Sequence, residues 1–205
     1  MFQHFIASFR FPRSTFALAL VWVVAQLLTA CHAPASHSAF VENPAGASLV
    51  YTRTGMFANA DRSGVWQIKS ANYIHGAKVL PAGTALTLHT VGDGVLHLTD
   101  SSGARLQARY ETKHTMTSFD AWRERQFSAT PVTLPSTLTE QEQRCVREAR
   151  AEIGISREAL FLAIGYPAAS LSPDPLARTL LYATDTWGKK RISFDDTGKV
   201  SEILD

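Results

Sequence analysis

GISREALFLAIGYP, residues 154–167, carries helix punctuation at both ends. Ser156 offers a hydroxyl to the first free N–H groups of a helix, Gly165 tolerates the backbone turn that ends one, and Pro167 blocks continuation. Between them 159–164 is an unbroken run of apolar residues. At about 100° per residue such a run wraps the whole helix, so one sheet face cannot cover all of it. Leu160, Ala163 and Ile164 are expected on a sheet, which leaves Phe161 and Leu162 on the side of Arg157 and Glu158. Either the preceding helix covers those two, or they are part of a docking patch; they are the candidate partner-binding residues.

Working outward, Thr139 and Glu142 form a T-x-x-E capping box that opens the preceding helix. Its apolar stripe is Leu138, Cys145, Val146, Ala149 and Ile153, and Gly154 is expected to end it. Downstream, RTLLYATD, KRISFDD and KVSEILD read as three antiparallel strands joined at Gly188 and Asp196-Thr197-Gly198. Two helices on a three-stranded antiparallel sheet give an α+β lobe over 138–205. Upstream, 128–137 (SATPVTLPST) holds Pro131 and Pro135 and reads as a linker. The segment 49–127 alternates short strand candidates (LVYTRT, VWQIK, TALTLHT, VLHLTD, ARLQARYE) with Gly, Pro and Asp turns, and closes with a short helix at 115–127. This predicts a small antiparallel β barrel or sandwich as the N-terminal lobe.

The chain begins with Arg10 and Arg13, no acidic residue, and a 13-residue apolar run at 16–28. A run that short falls below the ~20 residues needed to span hydrocarbon, so 1–30 reads as a secretory signal. Leu28-Thr29-Ala30-Cys31 resembles a bacterial lipobox. The resemblance implies lipidation of Cys31, which becomes the mature N-terminus, and His32 in place of Asp implies sorting to the outer membrane. Several acyl chains, at about 0.8 kcal/mol per buried CH₂, hold a protein there permanently. Residues 31–48, rich in Ala, Ser and Pro, read as a flexible tether, and the body is expected on the periplasmic side.

The whole chain has 20 basic and 18 acidic residues. Removal of 1–30 takes away Arg10 and Arg13 and leaves the rest neutral, which gives no electrostatic footprint for nucleic acid. Of the two cysteines, lipidation uses Cys31, so Cys145 has no disulfide partner and reads as a small buried hydrophobe. No G-x-S-x-G, H-E-x-x-H, C-x-x-C, P-loop or dinucleotide fingerprint occurs, so nothing points to an enzyme. The weak metal candidates are His89 and His97, equidistant from Asp93: a hairpin turning there would set the imidazoles opposite each other, about 5 Å apart. Two ligands do not make a site, and the expectation is no cofactor beyond the lipid on Cys31. GKKRI, 188–192, reads as a solvated hairpin end.

Gly154-Ile155-Ser156, Leu160, Gly165 and Pro167, with FDDTGKVSEI at 194–203, resemble the SmpA/OmlA family of BamE-like outer-membrane lipoproteins. The resemblance covers about fifty residues; Ile155 and Ala159 depart from the family pattern. It implies a two-helix, three-stranded module acting without catalysis, through contacts with envelope proteins in outer-membrane assembly or maintenance. The alternative is a periplasmic small-ligand or inhibitor-type binding module built on the first lobe.

Overall fold

The fold is that of a computed structural model, described for residues 46–205. The apolar run at 16–28, the lipobox with Cys31 and most of the tether lie outside the described residues. No helix among the described residues is long and apolar enough to cross a membrane.

The first lobe is one curled eight-stranded sheet: β1 (Ser48–Thr52), β2 (Met56–Ala60), β3 (Trp66–Lys69), β4 (Lys78–Leu80), β5 (Ala85–Gly92), β6 (Val95–Thr99), β7 (Arg105–Arg109) and β8 (Phe127–Ser128). Their order is β4-β2-β3-β7-β6-β5-β1-β8. The five strands read from the sequence are present, but β2, β4 and β8 are additional. The sheet also departs from the all-antiparallel expectation, because β3 and β7 pair in parallel. The reason is visible in β2 (MFANA). Met56 and Ala58 enter the core inside the curled sheet, while Phe57 on the opposite face enters a second core shared with the C-terminal lobe. A strand buried on both faces loses the apolar-polar alternation by which a half-buried strand is recognised.

Leu86, Leu96, Leu98 and Leu106 fill the inside of the curled sheet, all under 3 % exposed. The short helix α2 (Phe119–Gln126), which follows a single turn, α1 (Thr112–Thr115), packs on this core through Trp122 and Phe119. Trp122 of α2 is 2 % exposed and meets Phe127 edge to face at 6.5 Å. Three hairpins share one device, D-x-(S/T)-G. Asp61, Asp100 and Asp195 each accept hydrogen bonds from the N–H and hydroxyl of Ser63, Ser102 and Thr197, two residues on. The glycine that follows has φ near +80° in each, a region open to it because it lacks Cβ.

The second lobe has α3 (Glu140–Glu148), α4 (Arg157–Ile164) and the antiparallel meander β9 (Thr179–Ala183), β10 (Lys189–Phe194) and β11 (Val200–Leu204), with β10 central. Both caps follow the sequence: the Thr139–Glu142 capping box is complete, and Ser156 accepts from the Ala159 N–H. The end of α3 does not. It stops at Glu148, with Ala149 left-handed (φ 48°), well before Gly154. Ile153 therefore falls beyond the helix and is 61 % exposed, while Leu138, Cys145, Val146 and Ala149 are buried.

Both lobes belong to one compact unit, and 128–137 does not part them into separate bodies. Phe57 and Ile74 of the first lobe share a core cluster with Leu160, Tyr182 and Phe194 of the second. Joining Phe57, on the outer face of β2, to the helix pair removes from water apolar surface that neither lobe could bury alone, at about 25 cal/mol per Å².

Candidate functional site

The C-terminal end of α4 is the joint between the lobes. A helix leaves its last carbonyls without internal partners, and here the first lobe supplies several. The Gly55 N–H donates to Leu162 O at 2.8 Å, and the Asn72 amide donates to Ile164 O and Tyr166 O, both at 2.8 Å. The Tyr182 hydroxyl, wholly buried, donates to Gly165 O at 3.0 Å. Two glycines permit the approach. A Cβ on Gly55 would lie 1.8 Å from Ala163 O, and one on Gly165 (φ +76°) would lie 2.9 Å from Asn72 Nδ2. Asn72 itself sits at φ 50°, in the left-handed region that Asn tolerates better than most residues.

Phe161 and Leu162 are on this joint. Phe161 is 9 % exposed and stacks on Tyr166, ring centroids 4.3 Å apart. Arg125 of α2 lies over the other participant in that stack, 5.5 Å from the Tyr166 centroid. Phe161 thus shares a core cluster with Val146 and Ala149 from the preceding helix and its C-cap, as one of the two expectations had it, and Tyr166 adds to that cover, while the exposed Ile153 does not. Leu162 is half-buried, and with Thr54, Glu158 and Tyr166 it lines an open cleft of about 390 Å³. Arg157 borders the cleft but is held in place: it donates to Pro175 O and Ala177 O and lies 3.6 Å over the Phe194 ring. Burial lowers its pKa. The Thr54 hydroxyl is buried there, with no hydrogen-bond partner among the described residues. The wrapped apolar run singles out Phe161 and Leu162 in the sequence, and both line this cleft; Thr54 and Tyr166 carry no local signal because they reach it only through tertiary contact.

The histidine pair does not form as expected. The β5–β6 hairpin turns on two residues, Asp93 (φ 50°) and Gly94 (φ 71°), so Gly92 pairs Val95 and His97 faces Thr90. Asp-Gly favours this two-residue turn, whose twist matches that of the strands. A bulge at His89 then restores Leu88 opposite Leu98, so both leucines stay in the core. His89 is the extra residue, and its Nε2 lies 2.9 Å from Thr99 Oγ1. Among the described residues, no three His, Cys, Asp or Glu side chains gather as a metal site would require. Cys145 is fully buried, and burial together with a hydrogen bond involving Glu152 pushes its thiol up to about 11, far from a nucleophilic thiolate.

Comparisons of the chain with models of protein families, with curated proteins and with solved structures find no match.

Proposed function

We propose that this chain is a lipid-anchored envelope protein, held through Cys31 at the periplasmic side of the outer membrane, that acts without catalysis through contacts with envelope proteins. The observation that carries the reading is the order of the N-terminal sequence: two arginines, a short apolar run, then Leu28-Thr29-Ala30-Cys31. The SmpA/OmlA-like reading of 154–203 agrees with it, as does the two-helix, three-stranded layout. The cleft beside Leu162 is the contact surface, because it is apolar and lies where two lobes meet, a preferred place for binding. Radiolabelled palmitate fed to expressing cells is expected to label the protein and to fail on Cys31→Ser, which should move from the membrane to the soluble fraction. A photo-crosslinking residue at 162 is expected to yield one discrete adduct with an outer-membrane protein; one at the exposed Leu176, away from the cleft, should not. Unlabelled, soluble wild-type protein would sink the anchor, and no adduct at 162 would sink the contact surface.

A second reading, a periplasmic ligand-binding module, is favoured by a separate groove at the C-terminal end of β2.

A further inference from the structure

That groove follows from the two-sided burial of β2. Beyond Phe57, which enters the shared core, the same face of the strand carries Asn59, in register with Gln67 of β3. These two, with Lys69, form the floor of a cleft of about 320 Å³, and Tyr73, Asp185 and Thr186 form its wall. The same Tyr73, Asp185 and Thr186 also line a second cleft of about 120 Å³, which runs on to Trp187 and His114. The two clefts are therefore neighbours across those three residues, and together they reach from the first lobe to the tip of the β9–β10 hairpin.

Its polar groups are only partly used. The Asn59 carbonyl accepts from the Ala77 N–H, which leaves its NH₂ to donate. Both N–H bonds of Gln67 go to Asp61 and Gln107, which leaves its carbonyl oxygen to accept. Among the described residues, the Tyr73 and Thr186 hydroxyls have no hydrogen-bond partner. Lys69 faces the Tyr73 ring at 5.3 Å, while the carboxylates of Asp61 and Asp185 border the same cleft. An anion would meet two carboxylates there, and a cation would meet the ammonium. Open donors and acceptors in alternation suit a neutral ligand that offers both, which is what a row of hydroxyl groups does.

The aromatic side chains specify it further. Trp187 is 90 % exposed, yet its backbone is fixed: its N–H and that of Gly188 both donate to Asp185 Oδ1 at 2.7 Å. A Cβ on Gly188 would lie 2.1 Å from Thr184 Oγ1, so that side chain would have to shift to admit a larger residue. In the three D-x-(S/T)-G hairpins the residue two after the aspartate returns a hydroxyl to the same carboxylate. At the fourth Asp-capped hairpin that place holds a tryptophan, which gives the turn no such bond. Its ring is therefore spent on the outside, at the mouth of a groove whose wall already holds Tyr73. A flat apolar ring beside open amides and hydroxyls complements the two sides of a pyranose, C–H bonds on its faces and hydroxyls on its rim.

We propose that this groove binds a neutral carbohydrate chain, with Trp187 and Tyr73 as the stacking surfaces and Asn59, Gln67 and Thr186 as the hydroxyl partners. The inference is independent of the lipid anchor and of the Leu162 cleft, and its test leaves both untouched. Full-length protein in detergent is titrated with a panel of neutral hexasaccharides, β-1,4-linked N-acetylglucosamine, β-1,4-linked glucose and α-1,4-linked glucose, by tryptophan fluorescence and calorimetry. At least one is expected to bind, with Trp187→Ala and Tyr73→Ala each weakening it roughly tenfold and Leu176→Ala leaving it unchanged. Trp187→Ala removes a solvent-exposed ring and is expected to keep the wild-type circular dichroism spectrum. No response to any panel member at millimolar concentration overturns the proposal. So does binding that both aromatic variants leave intact, and so does a groove that responds to peptides but not to sugars.

Discussion

Gly55 and Asn72 hold the lobes together through single atoms. Gly55 is required by what it lacks, because Ala163 O occupies the place of its Cβ. Gly55→Ala must therefore move backbone against backbone, and a loss of about 2–3 kcal/mol is expected in urea denaturation. Gly92→Ala, where a Cβ would meet nothing within 4 Å, serves as the control and should change stability by less than about 0.5 kcal/mol. Equal losses at both sites would mean that the close approach at Gly55 does not matter. Asn72 is required for what it donates: its one amide serves two carbonyls at the end of α4. Neither role could be read from the sequence, where Thr-Gly-Met and Ala-Asn-Tyr look like ordinary loop text. The partners lie 92 and 94 residues from Asn72 along the chain.

The helices show the opposite case, in which local chemistry was legible. Thr139, Glu142, Ser156 and Gly165 were identified by residue type and spacing because capping satisfies backbone groups within one turn. The structure adds a second task for Glu142. Its Oε2 accepts from Thr139, and its Oε1 accepts the Ser156 N–H at 2.8 Å, so the carboxylate that caps α3 also holds the start of α4. Burial by itself would raise this carboxyl, but the hydrogen bonds from Ser156 and Thr139 outweigh it and bring the pKa down from 4.5 to about 2. A pKa below the unfolded value means stability that is present above pH 4.5 and is lost as the pH falls toward 2, on the order of 3 kcal/mol. Glu142→Gln is expected to be less stable at pH 7 and to show a flatter stability profile over that interval; a profile parallel to wild type would refute the assignment. The end of α3 departs from the expectation because Ala149, five residues ahead of Gly154, already takes the left-handed conformation that stops the helix.

At the scale of the molecule, the outer face of β2 and the end of α4 complete each other. Because Phe57 and Ile74 lie in the same core as Leu160 and Tyr182, the body is expected to unfold in one calorimetric transition whose van't Hoff and calorimetric enthalpies agree. Two resolved transitions would mean that 128–137 separates independent domains after all. The α+β class, the caps, the meander and most of the barrel strands were legible in the sequence, because each depends on periodicity or on contacts a few residues long. So was the hairpin at Asp93-Gly94, though its register was off by the one residue that the bulge at His89 absorbs. The strand β2, the parallel pair β3–β7, the joint at Gly55 and Asn72, and both grooves came only from the tertiary structure. Each depends on which surfaces meet, and residues far apart in the chain carry no local pattern that records their meeting. By itself, then, the sequence determined the elements and their caps through short-range hydrogen bonding and hydrophobic period. How the two lobes close on each other, and the clefts left where they do, was decided by long-range burial of faces whose partners no local rule names.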